Sequence, residues 1–523
     1  MQKRAGVVIA AGALIAGAVG VAPSAAEPTA PEPRTPLSWK ACGTEQYPRL
    51  ECASLRVPLD HADPDGERIT LALSRVRHTA PASEGPLLVN PGGPGASGRD
   101  LAGFVAASLP AKVAARYDVI GFDPRGVGAS EPALTCRSGH FAPVRPDSVP
   151  RDAREEQRNT ARAAAFARAC GDRHARLLPH IDTVSAARDV DAIRQALGAP
   201  RITYFGYSYG TYLGAVYARL YPQRVRRAVL DSVVHPGGVW YDANLAQDHA
   251  FDARHKAFLA WVARHHAVYG LGDDPARVEA RWYAMRAALR ERPAGGEVGA
   301  AEAEDTFLAG AYHDGYWPGL AAAFSAYAKD GDERRLVDAY RSLAAPDEST
   351  DNAYAVYTAV ECRDARWPKS WDVWRRDTWA THAKAPFSTW NNTWYNAPCA
   401  FWPVPSLTPP DVANDAVPPV LLFQATEDAA TPYEGAVAAH RLLRGSRLVV
   451  EQGGGNHAVT LRGNACADRI LVQYLDTGQV PRGDGGAGPD AACPARPDPK
   501  PAAATERAHP AVHGALAALP RGY

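Results

Sequence analysis

Three side chains in this sequence have the types and the chain order that nucleophilic catalysis requires. Ser208 lies in a Gly-x-Ser-x-Gly motif, residues 206–210, and Asp428 and His457 follow later in the chain. A serine hydroxyl becomes a strong nucleophile when a histidine takes its proton and a carboxylate orients the imidazole. We therefore predict that Ser208 is the nucleophile, His457 the general base and Asp428 the acid that holds the histidine.

The residues around Ser208 are typical of a strand, a sharp turn and a helix. Residues 201–205 form an apolar run, and residues 211–221 place Leu213 and Val216 on one helical face. Glycines at both ends of the motif leave room for a strained turn, and the start of a helix favours negative charge beside the serine. This context favours a catalytic serine over a turn with a purely structural role.

Chain position selects the histidine, while alternatives remain open for the acid. His457 directly follows the last predicted strand, and Asp428 follows the predicted strand before it. Glu427 is adjacent to Asp428, and Asp231 ends the strand after the nucleophile helix, so both are alternative acids. The competing histidines lie in a helical region or in the C-terminal tail (His249, His255, His265, His266, His509 and His513).

A glycine-rich segment, residues 90–95, supplies hydrogen-bond donors for a developing oxyanion. It reads Asn-Pro-Gly-Gly-Pro-Gly and follows a predicted strand. We predict that the backbone N–H groups of Gly93 and Tyr209 bind the oxyanion, because Tyr209 comes directly after the nucleophile. A phosphate-binding role is disfavoured, since the segment lacks the lysine of a P-loop and the Gly-x-Gly-x-x-Gly spacing.

Apolar runs alternate with helical patterns over much of the chain. Residues 185–197, for example, have helical periodicity and end before Gly198. Strands that alternate with helices predict βαβ units, and runs that are apolar on both faces predict buried parallel strands. We therefore expect an α/β fold with a doubly wound, mostly parallel sheet. The predicted strands are residues 86–90, 117–122, 201–205, 227–231, 419–424 and 447–451.

The region 239–405 differs from the rest of the chain in composition. It holds eleven of the 12 tryptophans, and long helical patterns at 251–266 and 275–290 dominate its first half. We predict a helical cap inserted between two strands, which divides the core into residues 38–238 and 406–482. We expect each tryptophan to fill the core of this cap, and lining a pocket for an apolar substrate is the alternative.

Both ends of the chain differ from its globular part. A lysine and an arginine near the start, an uncharged run over residues 5–22 and small residues after it predict a signal peptide over residues 1–26. A membrane anchor is less favoured, because the run is rich in alanine and glycine and weakly apolar. We expect a secreted protein without stable membrane insertion and a proline-rich linker or pro-segment at 27–37. We also expect a loosely ordered tail at 483–523 whose start is held by Cys493.

Composition and cysteine content limit the classes of function. The chain has 57 Lys and Arg and 57 Asp and Glu residues, and this zero net charge argues against nucleic acid as a partner. The eight cysteines form no CxxC motif and no zinc-finger spacing, so they favour disulfides in an oxidising compartment, and no metal or cofactor is expected. Sequential pairing is the simplest arrangement, but the sequence leaves the connectivity open. The sequential pairs are Cys42–Cys52, Cys136–Cys170, Cys362–Cys399 and Cys466–Cys493.

These motifs together resemble the secreted tripeptidyl aminopeptidases, in the prolyl-aminopeptidase branch of the α/β-hydrolases. The resemblance is carried by residues 90–95, 123–130 and 206–210, by Asp428 with Thr431-Pro432, and by Asn456-His457. It runs over roughly residues 39–493, and the chain order Ser, Asp, His is that of the α/β-hydrolases. Ala425 stands where the family usually has glycine.

The resemblance implies a serine exopeptidase that acts on free N-termini and releases peptides of two or three residues through an acyl-enzyme. It also implies that acidic residues of the cap bind the substrate's amino group, and Glu361, with Asp364 second, lies in the acidic cluster that we consider for this role. An esterase or lipase with the same three catalytic residues is the first alternative. A non-catalytic binding protein is the second, and the presence of all three residues argues against it.

Overall fold

The computed structural model describes residues 37–483, 486 and 488–502 of the 523-residue chain. The predicted signal peptide, all but the last residue of the predicted linker, and residues 503–523 of the tail lie outside the described residues. The strands are β1 (Lys40–Ala41), β2 (Glu51–Pro58), β3 (Arg68–Val76), β4 (Gly85–Asn90), β5 (Tyr117–Phe122), β6 (Ile202–Tyr207), β7 (Val225–Asp231), β8 (Val420–Ala425), β9 (Arg447–Gln452) and β10 (Ala491–Pro494). The α-helices are α1 (Arg99–Ser108), α2 (Ala111–Ala114), α3 (Ala153–His174), α4 (Thr183–Ala196), α5 (Tyr209–Leu220), α6 (Tyr241–Arg264), α7 (His266–Tyr269), α8 (Pro275–Glu291), α9 (Ala300–Tyr312), α10 (Trp317–Asp330), α11 (Arg334–Leu343), α12 (Thr350–Asp364), α13 (Trp371–His382), α14 (Thr389–Asn396), α15 (Tyr433–Leu442) and α16 (Ala465–Thr477).

One sheet contains these strands, in the order β1-β2-β3-β5-β4-β6-β7-β8-β9-β10. Strands β4 to β9 are the six predicted ones, and each pairs in parallel with its neighbours among them. Among the described strands of this sheet, antiparallel pairing joins β1 to β2, β2 to β3 and β3 to β5. The prediction of an α/β fold with a mostly parallel sheet is confirmed. Because parallel strands end at the same edge, the loops after β4, β6, β8 and β9 meet there.

The central strands are buried because helices cover both faces of the sheet. In β8, Leu421 and Phe423 belong to the hydrophobic core on one face, and Leu422 belongs to the core on the other. This arrangement explains why the predicted strands are continuous apolar runs without alternation.

The segment between β7 and β8 is helical, from α6 to α14, with a hydrophobic core of its own. Trp261, Trp282 and Trp317 are fully buried in that core, whereas Trp240 lines the cavity described below. We call this segment the cap. Its exact limits at residues 239 and 405 stay a prediction.

The tail contains a strand that the sequence analysis missed. Ala491–Pro494 pairs in parallel with β9, and a disulfide joins Cys493 to Cys466. The disulfide confirms that Cys493 holds the start of the tail, whereas the strand around it was not predicted. A strand of four residues between glycine- and proline-rich segments gives too short a pattern to recognise, and the exposed edge of β9 supplies the pairing.

Four disulfides join the eight cysteines in the sequential pairs considered above. One of them, Cys362–Cys399, ties α12 to the turn that follows α14.

Across the described ranges, no helix is both long enough and apolar enough to cross a bilayer.

Candidate active site

Ser208 lies on a sharp turn between β6 and α5, as the motif predicts. Its backbone has φ 54° and ψ −127°, a conformation that residues with a side chain rarely adopt. The flanking glycines are required by close packing. A Cβ on Gly206 would lie 2.4 Å from the carbonyl oxygen of Gly210, and one on Gly210 would lie 2.8 Å from that of Asn90. The turn therefore presents the serine at the start of α5, clear of the sheet.

His457 and Asp428 lie side by side in the loops after β9 and β8. The Nδ1 atom of His457 is 2.9 Å from Oδ2 and 3.0 Å from Oδ1 of Asp428. The exposed fractions of the two side chains are only 8% and 0%, so little water competes for this contact. When Nδ1 donates to the carboxylate, Nε2 is the nitrogen left to accept a proton from a serine.

The Asp428 carboxylate is fixed by donors from its own loop. Oδ1 accepts from the backbone N–H groups of Ala430, at 2.9 Å, and Thr431, at 3.0 Å. Oδ2 accepts from the Thr431 hydroxyl at 3.1 Å. Because these bonds stop the carboxylate from rotating, they also set the orientation of the His457 ring. The sequence analysis noted Thr431 only as part of a motif.

The two alternative acids have other partners. The side chain of Glu427 is 55% exposed and pairs with an arginine of the cap. Asp231 is fully buried and accepts from the backbone N–H groups of Val459, at 2.9 Å, and Thr460, at 2.7 Å, and from the Thr460 hydroxyl. Burial raises the pKa of Asp231 to about 6, although these hydrogen bonds oppose the rise. Asp231 thus holds the loop of His457 and does not bind the imidazole.

Asp231 and Ser232 together connect the nucleophile turn with the histidine loop, and we call them the floor. The Asp231 carbonyl accepts from the Ser208 N–H at 3.0 Å, and the Ser232 hydroxyl accepts from the Ala458 N–H at 2.8 Å. Ser232, Ala458 and Leu461 have positive φ angles of 59°, 70° and 60°. The floor therefore fixes Ser208 and His457, the predicted nucleophile and base, relative to each other through short hydrogen bonds.

The cap also holds the histidine loop. The His457 N–H donates to the Tyr312 carbonyl at 2.9 Å, and the Tyr312 ring packs edge-on against the imidazole at 5.6 Å. The Asp314 N–H donates to the Asn456 side chain at 2.8 Å. No local pattern in the sequence indicates these contacts, because they join segments about 140 residues apart.

The predicted oxyanion donors lie beside the nucleophile. Gly93 and Tyr209 line the same cavity as Ser208. Gly92 packs so closely against the turn that a Cβ would lie 3.0 Å from the Tyr209 nitrogen, and its own N–H donates to the Asn90 side chain at 3.0 Å. The Gly92 N–H is thus occupied, and the N–H groups of Gly93 and Tyr209 stay the predicted donors.

Ser208 lines a cavity of about 760 Å³ whose other walls come mostly from the cap. Four carboxylates line it, and the described lining contains no lysine or arginine. Asp242 and Glu434 are exposed, whereas Asp305 and Glu361 are withdrawn from solvent. The cavity is therefore suited to a ligand with a positive charge. Its apolar wall includes Trp240, Phe251, Leu308, Tyr312, Tyr357 and Tyr395.

Glu361 lies on α12 and is 4% exposed. It accepts from the Asn244 side chain at 3.4 Å, and within the described chain it forms no ion pair. Burial raises the pKa of this carboxyl to about 8. A buried carboxylate without a cation is costly, so a cationic ligand would be strongly favoured at this position.

Asp364 lies three residues further along α12 but does not line the cavity. Its carboxylate accepts from the N–H of Thr183 at 2.8 Å and from the hydroxyl of Thr183 at 2.6 Å, at the start of α4. The Thr183 hydroxyl also lies 2.8 Å from that of Tyr209. The structure thus separates the two predicted amine ligands: Glu361 faces the cavity, and Asp364 joins the cap to the core.

Comparison with known proteins places the chain in a family. The family model described as the alpha/beta hydrolase fold matches residues 85–460. The chain therefore belongs to the α/β-hydrolase family, and the serine at its nucleophile turn makes it a serine hydrolase.

Relatives of this chain include peptidases and an esterase. A tripeptidyl aminopeptidase of Streptomyces lividans is 44% identical over 464 residues, covering 86% of this chain and 86% of that protein. Serine protease Hip1 of Mycobacterium tuberculosis is 32% identical, covering 85% and 90%. Carboxylesterase B of Mycobacterium tuberculosis is 33% identical, covering 85% and 88%. The predicted resemblance to tripeptidyl aminopeptidases is confirmed.

Proposed function

We propose that this protein is a secreted serine exopeptidase that removes peptides of two or three residues from free N-termini. One observation carries the proposal: the nucleophile Ser208 and the buried, cation-free carboxylate of Glu361 line the same cavity. A peptide whose ammonium binds at Glu361 would occupy the same cavity as Ser208. The tripeptidyl aminopeptidase relative supports the release of three residues.

The reaction follows from the roles of the three catalytic residues. The Ser208 hydroxyl attacks the scissile carbonyl while His457 Nε2 takes its proton, and the N–H groups of Gly93 and Tyr209 stabilise the oxyanion. His457 then gives the proton to the amine, the amine departs, and the acyl group stays bound to Ser208 as an acyl-enzyme. A water molecule, activated by the same imidazole, hydrolyses the ester and restores Ser208.

Recognition of the amino group depends on the charge of Glu361. An α-amino group has a pKa of about 7.7–8.0, and burial raises the pKa of Glu361 to about 8. Near neutral pH both the free amino group and the unoccupied Glu361 carboxyl are therefore mostly protonated. Binding of the ammonium favours loss of the carboxyl proton, which leaves the ionised carboxylate paired with the ammonium. An acetylated N-terminus has no charge and leaves Glu361 without a partner.

The size and the covering of the cavity favour a chain end as substrate. A volume of about 760 Å³ suits a short peptide. The cap contributes most of the lining, and this covering favours a short chain end over an internal bond of a folded protein at Ser208. The four disulfides and the predicted signal peptide support a location outside the cytoplasm.

The decisive experiment is a digest of one defined peptide of about ten residues, with a free and with an acetylated N-terminus, followed by mass spectrometry. We expect short N-terminal fragments from the free peptide and at least about a tenfold lower kcat/KM for the acetylated one. The Ser208→Ala protein is the matched control for contaminating peptidases. Equal rates on both peptides would contradict exopeptidase activity, and cleavage at internal bonds would indicate an endopeptidase.

Ester hydrolysis is the second candidate, because one relative is named a carboxylesterase and the cavity wall is largely apolar. The same residues would act on an ester, whose alcohol needs no amine site. Comparing kcat/KM for a tripeptide p-nitroanilide and a short-chain p-nitrophenyl ester separates the two functions. A fluorophosphonate that fails to label Ser208 would instead support the non-catalytic alternative.

A further inference from the structure

The cavity wall contains two carboxylates withdrawn from solvent, and the protein surrounds them differently. Glu361, on α12, has no ion pair within the described residues, whereas Asp305, on α9, pairs with Arg145. The remaining acids of the lining, Asp242 and Glu434, are exposed, where water weakens their attraction for a cation. Asp305 thus has a cationic partner within the protein and Glu361 has none among the described residues, so a buried ammonium is expected to bind at Glu361.

Both oxygens of Asp305 already have donors. Arg145 Nη2 donates to Oδ2, and Asn391 Nδ2 donates to Oδ1 at 2.7 Å. The exposed fractions of Arg145 and Asp305 are 8% and 9%, so the pair is largely shielded from water. Arg145 also donates from its backbone N–H and its Nε to Glu302, at 2.9 and 3.0 Å. Both Asp305 oxygens are thus occupied from behind the cavity wall, and Arg145 shares its single positive charge between Asp305 and Glu302.

We propose that Arg145 is a specificity-determining residue: by pairing with Asp305, it leaves Glu361 as the one buried carboxylate without an ion pair in the described cavity lining, and this is where an N-terminal ammonium binds. The inference rests on the proposed exopeptidase function. A single anchoring position fixes the ammonium relative to Ser208. Arg145 therefore limits the enzyme to one binding register, although it does not line the cavity itself.

The loop that carries Arg145 is held independently of this residue. It connects β5 and α3, and Arg286 of α8 pairs at 2.6 Å both with Asp147 of the loop and with Glu304 of α9. Loss of the Arg145 charge therefore leaves the loop attached to the cap. This independence allows the charge of Asp305 to be exposed without removing the wall around it.

The test restores the charge of Asp305 in a protein that lacks Glu361. Arg145 also pairs with the buried Glu302, which would become a second unpaired carboxylate without it, so we combine Arg145→Met with Glu302→Gln and call this pair the unmasked variant. The pair is introduced into the Glu361→Gln protein. A matched control adds Asp305→Asn, which removes the carboxylate and keeps its shape. The measurement is the ratio of kcat/KM for a free peptide to that for its acetylated form.

We expect Glu361→Gln to lower this ratio and the unmasked variant to raise it again by about tenfold, the equivalent of one pKa unit of interaction energy. Asp305→Asn should remove the gain. In the wild-type background, the unmasked variant should release a second fragment length if the two anchors differ in distance from Ser208. An unchanged ratio with and without unmasking, in proteins that melt cooperatively and react with a fluorophosphonate, would overturn the inference.

Two further outcomes are separable. If the wild-type enzyme does not distinguish free from acetylated peptides, the proposed function fails, and this inference fails with it. If the unmasked variant does not fold, Asp305→Asn alone decides the question. Because Arg145 pairs with Asp305, the ratio of kcat/KM for free and acetylated peptides in the Asp305→Asn protein should stay within about twofold of the wild-type ratio. A tenfold loss would show that Asp305 itself binds the ammonium.

Discussion

Two buried carboxylates, one in the floor and one in the cap, differ in what surrounds them. Asp231 accepts three hydrogen bonds from the histidine loop, and its pKa is raised to about 6. Glu361 accepts a long hydrogen bond from Asn244 and faces a cavity, and its pKa is raised to about 8. The first acid is satisfied by the protein, and the second is available to a ligand. The comparison teaches that burial alone does not mark a functional acid.

This contrast assigns different kinetic effects to the two regions. Contacts of the floor position the reacting groups, so their loss should lower kcat. Contacts of the cap wall bind the substrate before and during the reaction, so their loss should raise KM.

The largest effect is expected at the nucleophile. Ser208→Ala should lower kcat by about 10⁶-fold, because the other catalytic residues have no nucleophile to activate. The melting temperature should change little, since the serine side chain contributes little packing. Steady-state kinetics and thermal unfolding check both statements. Retention of a substantial part of the turnover would show that the nucleophile lies elsewhere.

A smaller loss of kcat is expected from the floor. Asp231→Asn replaces one acceptor oxygen by a donor, so the N–H groups of Val459 and Thr460 compete for the other oxygen. A displacement of His457 by about 1 Å would lower kcat about 100-fold. KM for free peptides should stay near the wild-type value. An increase in KM with unchanged kcat would show that Asp231 contributes to substrate binding and does not position the catalytic residues.

The cap wall should show the opposite pattern. Glu361→Gln removes a charged acceptor for the ammonium, which contributes about 1.5–3 kcal/mol, or roughly ten- to a hundredfold in KM. The kcat value should stay within a few-fold, and acetylated peptides should be unaffected. Kinetics on matched free and acetylated peptides give this separation. Undiminished preference for the free amine would exclude Glu361 as its ligand.

The last prediction concerns stability and pH, and it leaves activity aside. The pKa of Glu361 is raised from 4.5 to about 8, so between these values the folded chain keeps a proton that the unfolded chain releases. Wild-type stability should therefore fall with rising pH in this window, by at most about 1.4 kcal/mol per unit from this group, and level off above pH 8. Glu361→Gln lacks this contribution. Urea unfolding of both proteins between pH 5 and 9 measures the difference, and parallel curves would show that Glu361 ionises normally.

The sequence predicted the parts of the fold whose patterns are local. Strands β4 to β9 are recognisable because both faces are buried, which produces continuous apolar runs. Strands β2 and β3 were missed, since they form an antiparallel edge and their side chains are only partly apolar. The helical cap was predicted from its composition, whereas the number and packing of its helices depend on contacts within its own core.

The same distinction holds for the site. Ser208, Asp428 and His457 were predicted as catalytic residues because each follows a predicted strand, and strand ends of a parallel sheet meet. Arg145 and Asp305 are 160 residues apart in the chain, so no spacing rule connects them. Helical spacing could not separate Glu361 from Asp364, because the orientation of α12 over the core decides which of the two faces the cavity.

Among the described residues, the non-glycine residues with positive φ are Ser208, Ser232, Ala458 and Leu461, and all lie in the nucleophile turn, the floor or the histidine loop. Such conformations cost about 1–3 kcal/mol each. These strained φ values of the described chain thus lie in the candidate active site. Glycine at 232 or 458 would relieve the backbone strain and raise thermal stability. It would also loosen the catalytic geometry, so thermal stability and kcat should change in opposite directions at these positions.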